Sequence, residues 1–155
     1  MPEITMQIKG IADTMKMLKS VEEFLKSPKP MENIVKDVKN TILVKTALGL
    51  DYKGKSFAPY SKAYKKKKTG MTATGRPNLK RTGEMMNSIK TEVISPSHGK
   101  VEVTKKVLIA QFHNLGGPKA GRPPQRRFMD LSKSAVLNLS KKYFDDEIQK
   151  LLGRR

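Results

Sequence analysis

Apolar positions recur at helical spacing near both ends of the 155-residue chain and alternate in its middle. From Ala12 to Lys26, Met15, Leu18, Val21, Phe24 and Leu25 fall at three- and four-residue steps, which predicts an amphipathic helix with Asp13 as its N-cap. Ser27-Pro28-Lys29-Pro30 ends it, because a proline turns the residue before it away from helical angles and makes a rigid elbow. A second helix is expected from about Met31 to Leu48, with Ile34, Val38 and Ile42 on one stripe, Val35 and Leu43 widening it, and Gly49 as the stop. The connection is short, so the two helices are expected to pair as an antiparallel hairpin. A long C-terminal helix is expected from about Met129 to Leu152 on Leu131, Ala135, Leu139, Tyr143 and Leu151, with Lys141 and Lys142 in reach of Asp145 and Asp146. Stripes of this kind report a buried face, so these apolar side chains are assigned to the core.

The middle of the chain reads differently. A short helix is expected from Thr82 to about Ile89, capped by the Thr82 hydroxyl or its neighbour, with Gly83 in the first turn. Lys90 to Ser95 and Lys100 to Thr104 alternate as strands, and Pro96-Ser97-His98-Gly99 joins them as a hairpin with His98 exposed. Val107 to Asn114 is either a helical turn or a further strand, and Gly116-Gly117 closes it. At the other end, Ile4, Met6 and Ile8 allow a short strand. Together these elements give one α+β domain over residues 1–155. It consists of an antiparallel β-hairpin or small sheet packed by an N-terminal helical hairpin and a long C-terminal helix.

Charge changes the picture. The chain carries 32 Lys and Arg against 14 Asp and Glu, a net charge of +18, and such a field attracts polyanions. Ten of the cations fall between Asp51 and Glu84 with no acid among them. This stretch, about residues 52–81, contains Gly54, Pro59, Gly70, Gly75 and Pro77 and has no sustained periodicity, so a long mobile basic loop is expected. Phe57, Tyr60 and Tyr64 interleave with its lysines. They either anchor the loop to the body, the commoner fate of aromatic side chains, or stack on bases as in single-strand binders. The run Lys65, Lys66, Lys67 and Lys68 is either a solvated face or part of a polyanion or assembly interface, together with Arg76, Lys80, Arg81, Arg122, Arg126 and Arg127. Arg122-Pro123-Pro124 is a stiff extended segment expected to set Arg126 and Arg127 at a surface.

Candidate chemistry is sparse. The chain has no cysteine, which excludes a disulfide framework and a thiolate metal site, and no apolar run of membrane-spanning length. The opening MPEITMQIKG does not have the form of a secretory signal, and the expected location is a cytoplasm. His113 lacks a second histidine or spaced acids near it, so an orienting role is expected rather than catalysis, and no metal or other cofactor is expected. Gly116 to Gly121 lacks the Gly-Lys-Ser/Thr of a phosphate loop and reads as flexible. The acids are scattered along helices, which argues against a nuclease and for no enzymatic activity.

Four pieces recur in one order: Pro59-Tyr60-Ser61, then Thr82-Gly83 with Ser88-Ile89, then Ala110 with His113-Asn114 and Gly116, then Arg122-Pro123-Pro124 with Arg126 and Phe128. Over Phe57 to Leu131 this pattern resembles the tailed-phage virion morphogenesis family, which includes tail completion proteins. The resemblance implies Tyr60, Thr82, Gly83, Ser88, His113, Asn114, Gly116 and Phe128 as structural motif residues. It also implies a non-enzymatic part of a phage particle that finishes the tail or the head–tail junction. Its expected partners are other tail or neck proteins, further copies of itself in a ring, and DNA through contacts that do not read sequence. Its expected locations are the virion and, during assembly, the host bacterial cytoplasm. A basic nucleic-acid-binding module is the competing expectation.

Overall fold

The structure, a computed structural model, describes residues 10–67, 75–117 and 124–153. The strand expected around Ile4 to Ile8 lies outside them. The fold is α+β, a two-stranded antiparallel sheet with helices before and after it.

Helix α1 (Ile11–Lys26) starts from Gly10, whose backbone is left-handed at φ 97°, and not from a side-chain cap. Asp13 falls in the first turn, where a carboxylate complements the helix dipole, so its expected capping role is corrected. The elbow is one extended residue, Ser27. Helix α2 (Lys29–Ala47) begins directly after Pro28 and takes Pro30 into its first turn, where a missing N–H costs nothing. Its end is a Schellman cap: Leu50 N–H reaches Lys45 O and Gly49 N–H reaches Thr46 O, with Gly49 at φ 74°. A Cβ at Gly49 would also stand 2.6 Å from Arg76 Cβ, so glycine lets the 75–79 segment cross the helix end.

Strands β1 (Ile89–Ser95) and β2 (His98–Val103) pair Ile89 with Val103 and Thr91 with Val101, and a bulge follows Val93. The turn is Pro96-Ser97 alone, so His98 and Gly99 belong to β2, and His98 is exposed. The sheet lies on α2 so closely that a Cβ at Gly99 would meet Val35 Cγ1 at 2.4 Å. Val38, Ile42, Met85, Met86, Ile89 and Ala110 form the core with Phe57, Leu79 and Phe128.

The basic segment is partly ordered by secondary structure, which corrects the expected loop. Ser61 Oγ accepts the Tyr64 N–H at 3.2 Å, and helix α3 (Lys62–Lys67) follows on residues of good helix propensity. Phe57 and Leu79 bury their side chains and hold the segment to the body.

Helix α4 (Glu84–Asn87) is shorter than expected. Gly83 caps it at φ 87°, Thr82 offers only a 3.4 Å contact to the Glu84 N–H, and Ile89 has already joined β1. Helix α5 (Val107–Leu115) decides between the two expectations for that stretch. It starts from Lys106, a non-glycine at φ 58°.

The C-terminal helix begins at the Ser132 cap and runs as α6 (Lys133–Ser140), a π-helical turn (Lys141–Asp145) and α7 (Asp146–Leu151). The expected pairing of Lys142 with Asp146 is corrected. Lys142 Nζ instead pairs with Asp37 of α2 at 2.9 Å, and the Tyr143 hydroxyl donates to the same carboxylate at 2.6 Å. The π turn brings adjacent residues to one acceptor and docks the helix on α2. The Phe24 ring meets Phe144 edge-on at 6.2 Å, and α1 packs on the C-terminal helix more than along α2, unlike the expected helical hairpin. No residue of α1 is buried.

Candidate functional site

The motif residues converge because one short segment of α5 holds the segment 125–129 that leads into the C-terminal helix. The Arg126 N–H donates to the His113 carbonyl at 2.6 Å, and Gln125 Nε2 donates to the Asn114 carbonyl at 3.1 Å. Asn114 Oδ1 accepts two backbone N–H groups, from Phe128 at 3.1 Å and Met129 at 2.9 Å. Two converging donors require an oxygen at that position. Gly116, at φ 79°, lets the chain leave α5 against Gln125. Phe128 then drops into the core. The His113 part in the bond to Arg126 is its backbone carbonyl, which any residue supplies, so the bond does not bear on the orienting role expected of the side chain.

Ser88 makes a second junction. Its buried hydroxyl donates to the Met85 carbonyl at 2.8 Å and accepts the Lys105 N–H at 3.0 Å, tying α4 to the end of β2. A hydroxyl that both donates and accepts satisfies two backbone groups at once.

Between these junctions and the basic segment lies a cavity of about 590 Å³. Tyr60 and Tyr64 line one side with ring centroids 4.9 Å apart, and Leu79, Met85, Ile109 and Pro124 contribute apolar wall. Arg81, Lys106 and Glu84 stand around it, with Lys106 and Glu84 paired at 3.4 Å. Thr82, Gly83 and His113 also border it. Leu79 and Lys106, neither of them a glycine, hold left-handed backbone, a strain that concentrates at functional sites.

Arg126 overturns its assignment to the surface. It is 2% exposed, its Nε donates to the Ala58 carbonyl at 2.8 Å and its Nη2 to the Pro59 carbonyl at 2.9 Å. The guanidinium stacks over the Tyr60 ring at 4.9 Å. Burial pushes its pKa below the ordinary guanidinium value, although an arginine stays charged at neutral pH. The Ala58 and Pro59 carbonyls hold this side chain inward, so a sequence that reads as a basic exit builds a buried tie to the basic segment.

The other candidates separate. Lys65, Lys66, Arg76, Lys80, Arg81 and Arg127 are exposed, and Arg127 pairs with Asp130 at 2.9 Å. Lys67 ends α3, whereas Lys68 and Arg122 lie outside the described residues. Residues 52–127 hold 18 Lys and Arg and 3 acids, so most of the net charge belongs to the segment that carries the cavity.

Periodicity did not single out α5 as a surface. Leu108 and Leu115 are 68% and 70% exposed, and Val107, Ile109 and Phe112 are also open. On α1, Ile11, Met15, Leu18 and Leu25 are exposed in the same way. The signal was present in the sequence, because six of the nine residues of α5 are apolar and a small fold can bury only one side of it.

Among the described residues no cluster of metal-ligating side chains occurs, and no helix is long and apolar enough to cross a membrane. Comparison with protein-family models, with curated proteins and with solved structures finds no match to this chain.

Proposed function

We propose that this chain is a non-enzymatic assembly protein of a tailed-phage particle, acting in tail completion or head–tail joining as a ring of identical copies near the DNA passage. The proposal rests on the resemblance of its four collinear motifs to the virion morphogenesis family. The observation that supports an assembly role is the pair of uncovered apolar helices. The exposed side chains of α5 leave a surface on the order of 400 Å², the size at which a patch on a soluble monomer marks an interaction site. Helix α1 offers a second such face elsewhere in the fold, packed on the C-terminal helix while α5 packs on α4. Two different patches on one chain suit a head-to-tail contact, which closes into a ring when its rotation permits. The concentration of cations in residues 52–127 would face phosphates without reading bases. The neighbours would be other tail or neck proteins, in the virion and, before that, in the host cytoplasm.

That same concentration favours the second reading, a sequence-independent nucleic-acid-binding module. Light scattering on nuclease-treated protein from low to high salt separates them. A discrete multimer that survives high salt is expected, since apolar contacts are not screened. A monomer under all conditions, unchanged by added tail or neck components and binding DNA with a steep salt dependence, establishes the module instead.

A further inference from the structure

The Arg126 guanidinium is a buried cation that no carboxylate among the described residues neutralises. Its Nε and Nη2 donate to neutral carbonyls, and its Nη1 donates to no described residue, while the side chain lines the cavity. A buried charge is costly unless it is paired, and among the described residues this one is met only by neutral carbonyls and the Tyr60 ring. We propose that the cavity binds an acidic peptide segment of a partner protein. An Asp or Glu carboxylate of that segment would pair with the open edge of the Arg126 guanidinium. Apolar neighbours of that residue would rest on Leu79, Met85, Ile109 and Pro124.

Three features favour a peptide over a nucleic acid. A guanidinium that is 2% exposed is out of reach of a duplex backbone, whereas one carboxylate side chain enters a 590 Å³ cavity. The Tyr60 ring already carries the Arg126 guanidinium and packs against Tyr64, each at 4.9 Å, so a base would compete with both for it. The apolar wall is also what extended peptides use, through side chains that flank the anchoring charge. Arg81 at the rim adds attraction for the incoming acid, and Glu84 with Lys106 adds a polar edge that orients it. This site does not depend on the ring proposed above, because a monomer contains all of it.

The test uses the full chain and two probes, Ac-Leu-Glu-Leu-Asp-Leu-NH2 and its amide analogue Ac-Leu-Gln-Leu-Asn-Leu-NH2. Heteronuclear NMR follows the Arg126 Nε–H signal during titration, and fluorescence anisotropy of labelled peptides gives affinity. The acidic peptide is expected to shift the Arg126 signal and to bind at least tenfold more tightly than the amide analogue. Arg126→Met is expected to abolish binding. That variant also loses two structural hydrogen bonds, so Ile109→Asp is the second variant. It places a like charge on the half-exposed cavity wall, and a loss of at least fivefold for the acidic peptide is expected with an unchanged circular dichroism spectrum. Equal binding of both peptides, an unmoved Arg126 signal, or displacement of the peptide by equimolar inorganic phosphate or a short DNA duplex overturns the proposal.

Discussion

Asn114 offers a direct test of how α5 holds the segment 125–129. Its Oδ1 accepts the N–H groups of Phe128 and Met129, and Phe128 is a core residue. Asn114→Ala removes the acceptor and leaves both donors without a partner. Each buried unsatisfied N–H costs about 1–3 kcal/mol, and the half-buried Met129 recovers part of its loss from water, so the variant is expected to lose about 2–4 kcal/mol. For a chain of this size that is a fall in Tm of roughly 5–15 °C. Asn114→Asp keeps an acceptor in place and is expected to stay within about 1 kcal/mol of the parent at pH 7. Two N–H donors favour the ionised form of the new carboxyl and lower its folded pKa below the unfolded value of about 3.9. Its stabilising contribution is therefore present above the unfolded value and lost as pH falls through the folded one. Urea unfolding of the three proteins at pH 7 and pH 3 measures this. If Asn114→Ala is as stable as Asn114→Asp at pH 7, the acceptor role assigned to this side chain is wrong.

Other perturbations probe separate joints. Gly99→Ala forces a Cβ against Val35 Cγ1 and is expected to destabilise by about 1–3 kcal/mol, read from the denaturant midpoint. Asp37 is held below the usual carboxylate range first by the Tyr143 hydroxyl and then by Lys142, so its contribution is present above the unfolded value and lost as pH falls through the lowered one. The carboxylate is about one-third exposed; Asp37→Asn is expected to cost no more than about 1 kcal/mol at pH 7 and to flatten the acid side of the stability profile. Leu108→Lys with Leu115→Lys places charge on the uncovered face of α5 and is expected to shift multimer to monomer in light scattering without lowering Tm. Lys65→Ala with Lys66→Ala is expected to leave mass and Tm unchanged. If these two lysines contact phosphates, the log–log salt slope of DNA binding falls by roughly 2, and an unchanged slope removes them from that surface.

The periodic segments were legible in the sequence because period alone fixes which face of a helix or strand is apolar. The helices at both ends, the hairpin over Lys90 to Thr104 and the Gly49 stop follow from spacing and from glycine's access to positive φ. The role of the aromatic residues in the basic segment divided as local chemistry allows: Phe57 anchors it in the core, and Tyr60 stacks on Arg126. Tertiary structure decided what each apolar face meets. The stripe of α2 is buried under the hairpin, whereas that of α1 and most of α5 stay open, a difference invisible to periodicity because it depends on which elements remain to cover them. It also decided the fate of individual charges. Arg126 and Arg127 are adjacent cations in the sequence, yet one enters the body to bind the Ala58 and Pro59 carbonyls and the other turns out to Asp130. Composition set the sign and size of the field around the molecule. Which cations make that field and which hold the fold together was set only when segments nearly seventy residues apart came into contact.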